Sequence, residues 1–133
     1  MRIEIEAGCW LILALMLLLF PFRFLVGVLL AALIHELGHL LALGLTGGRI
    51  QTIWLRAGGA RIEAVPLEPG RAAFCALAGP AAGSLTVFAW RWFPELALAG
   101  LVQTAFNLIP IGPLDGGVAV RNICCKIRDL RVQ

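Results

Sequence analysis

Phe24-Leu-Val-Gly-Val-Leu-Leu-Ala-Ala-Leu-Ile-His35-Glu36-Leu37-Gly38-His39-Leu-Leu-Ala-Leu-Gly-Leu-Thr46 is the stretch that decides the fold. At 1.5 Å per residue it reaches about 34 Å as a helix, past a hydrocarbon core roughly 30 Å thick. An apolar run of that length predicts a membrane span. Within it His35 and His39 are four residues apart, so both project from one helix face and can aim ring nitrogens at a single ion. Glu36 sits beside that face, where a carboxylate can take a proton from an attacking water. These are the only two histidines of the chain, and they flank the only acid deep inside an apolar run. A charged group at mid-span costs at least about 2.5–3.5 kcal/mol, so such a residue is kept for function by default.

Composition supports the lipid setting. The 133 residues are 60% hydrophobic and 14% charged, whereas a soluble domain is near half apolar and about a quarter charged. One small domain has too little interior to hide that much apolar surface. Working outward, Ala7 to Phe20 is a further apolar run; at about 21 Å it must tilt or thin the bilayer to cross. Pro21 and Arg23 predict a tight turn before the decisive span. After Gly47-Gly48, Arg49 to Leu55 and Ala60 to Val65 carry β-branched and aromatic residues around Gly58-Gly59. This predicts a short hairpin closed off by Pro66 and Pro69. Ala72 to Trp90 is apolar and uncharged, Arg91 and Pro94 make a turn, and Glu95 to Ile109 forms a fourth run. Trp90 and Trp92 suit an interfacial belt. Val118 to Gln133 is basic and reads as a helix on or just outside the membrane. The expected fold is an all-α membrane protein, a single domain over 1–133. It has about four transmembrane helices (7–20, 24–46, 72–90, 95–109), a cytoplasmic β-hairpin between the second and third, and a tail at 118–133.

Charge placement gives an orientation. Four spans put both termini on one side with Arg2, Arg49, Arg56, Arg61, Arg71, Arg121, Lys126, Arg128 and Arg131, leaving Arg23 and Arg91 opposite. The positive-inside bias places the termini and hairpin of an integral membrane protein in the cytoplasm; the family resemblance described below implies a bacterial inner (cell) membrane. The net charge of +3 is spread between apolar runs, which argues for topology and against nucleic-acid binding. Arg2 before an apolar run resembles a signal peptide, but Glu4 and Glu6 spoil a basic leader and no A-x-A-like site follows, so residue 1 is expected to be retained. Cys9, Cys75, Cys124 and Cys125 lack metal-type spacing and read as apolar filler or reduced thiols; palmitoylation of Cys124 or Cys125 is the alternative.

A catalytic zinc takes three protein ligands and keeps one open position. With no histidine left and no suitable cysteine, a carboxylate must be the third. Asp115 is the candidate, in Asn107-Leu-Ile-Pro110-Ile-Gly-Pro113-Leu-Asp115-Gly116-Gly117 just past the fourth run. The prolines and glycines there predict irregular backbone, which membrane depth tolerates only where it is buried or lines a cavity. Asp115 can equally serve as a turn or tail-helix N-cap residue, and the two roles are compatible.

H-E-x-x-H in one span followed by N-x-x-P-x-x-x-x-D-G in a later one resembles the site-2 protease family of intramembrane zinc metalloproteases, most closely its compact bacterial sporulation-type branch. The resemblance runs over roughly residues 24 to 117. It implies one zinc ion per chain held by His35, His39 and Asp115, Glu36 as general acid/base, and Asn107 near the substrate or the oxyanion. It implies as substrate a membrane-tethered or membrane-adjacent protein, such as a transcription-factor precursor. The sequence departs from the family where Gly79-Pro80-Ala-Ala is followed by Gly83 in place of a polar Asn; that polar contribution is then missing or comes from Ser84. Close helix packing is the plainer role of Gly79, Pro80 and Gly83. No appended regulatory domain is expected.

The hairpin reads either as a surface loop or as an edge strand that aligns an extended substrate by β-addition. Two other functions fit the motif. A metal transporter or sensor would use the same ligands, although the buried ionisable groups form one cluster and not a path. An inactive relative that only binds a partner would also keep them.

Overall fold

The computed structural model describes residues 2–56 and 59–132; side chains at 2–5, 9, 55–56, 59–61, 63 and 132 lie outside that description. The chain forms β1 (Arg2–Ile5), α1 (Ala7–Leu19), α2 (Phe22–Leu45), β2 (Ile50–Arg56), β3 (Gly59–Ala64), α3 (Pro69–Ser84), α4 (Pro94–Asn107) and α5 (Asp115–Val132). A 3-10 segment, Leu85–Ala89, prolongs α3. The expected helices are present. The turn assigned to Gly58 falls outside the described residues, as do the side chains of Arg2, Cys9, Arg56 and Arg61.

Among the described residues two helical stretches are long and apolar enough to cross a membrane, Phe22–Leu45 and Pro69–Ala89. The other two expected spans are shorter. α1 has 13 residues and α4 has 14, about 20 and 21 Å of helical rise. Each is bounded by proline: Pro21 separates α1 from α2, and Pro94 occupies the first turn of α4, where its missing N–H goes unneeded.

The interior is made of small residues. Ala31, Ala42, Ala73, Ala76, Ala97 and Ala119 are buried, and among the described residues no large side chain is fully enclosed. Lipid cannot drive helices together by the hydrophobic effect, so close approach of small residues does the packing. A Cβ on Gly27 would lie 2.9 Å from the α4 backbone at Glu95, and one on Gly38 would meet Ala78 and Ala82 of α3. The large apolar side chains point outward: Leu18 is 82% and Phe88 75% exposed. A surface this apolar is a lipid-facing surface.

At the end where α2 starts, Arg23 bonds Glu95 at 3.1 Å, donates to the Trp92 carbonyl at 3.2 Å and lies over the Phe93 ring. At the other end the hairpin is confirmed and gains a strand. β1 pairs in parallel with β2, and β2 pairs antiparallel with β3, giving the order β1-β2-β3. This pairing puts residues 2–5 at the same end as the hairpin, and leaves β3 as a sheet edge.

The segment after α4 corrects the expectation of irregular backbone through Gly117. Irregular chain runs only from Leu108 to Leu114, and α5 begins at Asp115. Gly112, at φ 52°, takes the left-handed bend. Gly116 and Gly117 are helical, and a Cβ on either would strike the backbone of Leu108–Gly112. Their lack of side chains lets the returning loop lie directly on the first turn of α5. The tail helix packs along α3, with Lys126 near Glu68 at 3.6 Å.

Candidate metal centre

α2 carries His35 and His39 one turn apart, and their rings meet edge to face at 78°. His35 is 2% exposed. Its Nε2 lies 3.2 Å from His39 Nε2 and 3.0 Å from Asp115 Oδ2, while His39 Nε2 lies 3.2 Å from the same oxygen. Three donor atoms from α2 and the start of α5 thus form a near-equilateral triangle. His35, His39 and Asp115 are also the one cluster of potential metal-binding residues among those described.

The hydrogen-bond pattern defines the charge this triangle needs. His39 donates Nδ1–H to the Cys75 carbonyl at 2.8 Å, so the neutral ring presents a bare lone pair at Nε2. Gly79 makes room for that ring, because a Cβ there would clash with the Nε2 edge of the imidazole. Lone pairs 3.0–3.2 Å apart repel unless positive charge sits among them. Zinc at about 2.0–2.2 Å from each ligand in tetrahedral geometry places ligand atoms about 3.3 Å apart. The donor set, its spacing and its tautomer therefore fit a zinc ion.

Glu36, Asn107 and the three residues of the triangle line one cleft of about 1040 Å³. The cleft runs past Ile62 and Ala64 of β3 to Val65 and Pro66. Asn107 is half-buried there and spends one amide N–H on the Gln103 carbonyl at 3.1 Å. Sequence reading missed Gln103 and Arg121 in this cleft. Gln103 was detectable, since it is a polar residue inside an apolar run one turn before Asn107. Ser84 does not supply a polar group: its hydroxyl donates to the Ala81 carbonyl at 2.7 Å, and it lines a separate apolar groove between α2 and α3. That groove holds no titratable side chain and no reactive chemistry.

No protein-family model and no curated protein matches this sequence. The fold, however, is similar to the solved structure of the site-2 protease from Methanocaldococcus jannaschii, with a TM-score of 0.76 and 25% identity. The similarity covers 93% of this chain and 67% of that one. This likeness in fold supports the site-2 protease family for the chain. Site-2 proteases are membrane zinc metalloproteases, and the two spanning-length apolar helices agree with an integral membrane protein. In this chain the H-E-x-x-H helix is the long α2, and the D-G-G segment opens α5.

Proposed function

We propose that this chain hydrolyses a peptide bond of a membrane-tethered or membrane-adjacent protein, using one zinc ion per chain. The observation that carries the reading is the convergence of His35, His39 and Asp115 on one point in a cleft that also holds Glu36. His35 and His39 would hold the ion through Nε2 and Asp115 through Oδ2. When bound, zinc supplies Lewis acidity and lowers the pKa of water to about 7. Glu36 takes the attacking water's proton on its carboxylate and passes it to the leaving amine. Asn107 has a second amide N–H beyond the one bonded to Gln103, available to the developing oxyanion.

The cleft's course past the end of β3 supports an extended substrate laid along that strand edge, where main-chain pairing unfolds the segment to be cut. The arginine distribution supports a cytoplasmic hairpin and termini; the bacterial cell membrane rests on the family resemblance alone. The family resemblance favours the sporulation-type branch and a substrate such as a transcription-factor precursor.

Glu36→Gln tests the reaction. The variant should bind zinc like the wild type and fail to cleave a co-expressed membrane-tethered substrate. Undiminished cleavage would remove Glu36 from the mechanism, and zinc flux in place of cleavage would make the site a transport site.

A further inference from the structure

His35 is held from one side only. Its Nε2 faces Asp115 and His39, whereas Nδ1, on the far side of the ring, is buried with no hydrogen-bond partner among the described residues. If Nε2 binds a metal, the ring proton sits on Nδ1, and metal-bound histidines almost always donate that proton to an acceptor. A buried donor without one costs about 1–3 kcal/mol. His39 meets the requirement through Cys75.

The wall opposite Nδ1 is Gly83 of α3. A Cβ built there would have as its nearest neighbours Thr104 Oγ1 at 2.6 Å, His35 Nδ1 at 3.5 Å and the Gly100 carbonyl oxygen at 3.8 Å. All three are polar, in a bundle whose other buried residues are mostly apolar; Thr86, also buried nearby, spends its hydroxyl proton on the Gly83 carbonyl. Thr104 is 8% exposed, and its hydroxyl donates to the Pro80 carbonyl at 3.3 Å. Its oxygen lone pairs remain to accept.

We propose that Thr104 is a positioning residue for His35, accepting its Nδ1 proton through one buried water seated beside Gly83. The inference rests on His35 being a metal ligand. The water accepts from His35 Nδ1–H and donates to Thr104 Oγ1 and to the Gly100 carbonyl, while Thr104 passes its own proton to Pro80. Every polar atom in the pocket is then bonded, and three partners are the usual complement of an internal water. The relay fixes the tautomer and the ring plane of His35, as Cys75 does for His39. Gly83 matters because any side chain would occupy the water's place.

The test measures zinc affinity of the detergent-purified full chain by competition with a chelator, with thermal unfolding followed in parallel. Thr104→Val keeps the shape and removes the acceptor, and should weaken zinc binding about 10–100-fold; Thr104→Ser should restore it. The double variant Gly83→Asn with Thr104→Ala places a carboxamide within reach of Nδ1 and should also recover affinity. If Thr104→Val unfolds, Gly83→Ala in the native background fills the water's seat and should weaken zinc binding alone. Wild-type affinity in Thr104→Val or in Gly83→Ala overturns the relay. So does a double variant as weak as Thr104→Val, which would leave Thr104 only its packing bond to Pro80. A wild-type chain that binds no zinc overturns the metal reading itself, a result distinct from these.

Discussion

Gly79 lies against His39 so closely that a Cβ on the glycine would clash with the Nε2 edge of the imidazole, while His39 Nδ1 donates to the Cys75 carbonyl at 2.8 Å. Cys75 and Gly79 are successive turns of one helix, α3, and together they orient a side chain of its neighbour, α2. The helix supplies both the acceptor for the ring and the space for it.

Gly79→Ala should therefore abolish zinc binding in a chain that stays folded. Alanine is the better helix former by about 1 kcal/mol, so lower helicity is not expected, and circular dichroism with zinc stoichiometry separates the effects. Gly44→Ala is the control. Nothing lies within 4 Å of its added methyl, and it should leave zinc unchanged and stabilise by up to about 1 kcal/mol. Equal zinc in both variants would mean that His39 does not need its present position.

Asp115→Ala should reduce zinc affinity by at least about 10–100-fold, since even outer partners of metal ligands cost that much. Full occupancy measured by metal analysis would remove Asp115 from the ligand set.

Chelation should destabilise the wild type. With free zinc a thousandfold above its dissociation constant, binding contributes about 4 kcal/mol to folding. The melting temperature should fall on chelation in the wild type and stay level in Asp115→Ala. A wild-type melting temperature indifferent to chelator would show that the triangle holds no ion.

Asn107→Ala should leave zinc in place and lower kcat by about 10²–10³-fold, the usual loss for one oxyanion donor. An unchanged kcat in a cleavage assay would assign Asn107 only its helix bond to Gln103.

Arg23→Ala breaks the ion pair at the far end of the bundle. With Arg23 61% exposed, the pair to Glu95 is worth about 0.2–1 kcal/mol. A small drop in melting temperature with unaltered zinc affinity is expected; loss of zinc would reveal coupling along α2 that the structure does not contain.

The cluster of His35, His39 and Asp115 was legible because its signal is local and rare. Two histidines one turn apart in an oily run leave few alternatives, and the shortage of other donors pointed to Asp115. The hairpin was legible from its β-branched runs. What stayed hidden depends on contacts between distant residues. β1 is four residues long, and its pairing of Arg2 with Thr52 joins segments that no local pattern connects. Gly116 and Gly117 read as helix breakers when taken alone; in the fold they are the first turn of α5, kept bare for the loop above them. The polar pocket at Gly83 and Thr104 appears only once α3 and α4 are packed.

The ligands are also far apart in time. The two imidazoles belong to an early helix, and the carboxylate follows His35 by 80 positions. At about 5–20 residues per second, translation leaves a gap of roughly 4–16 s between them. Throughout that interval the nascent chain displays an H-E-x-x-H helix with an incomplete grip on metal. The candidate metal site is therefore completed late in biogenesis, when α5 docks, and a chain interrupted before Asp115 would lack its carboxylate.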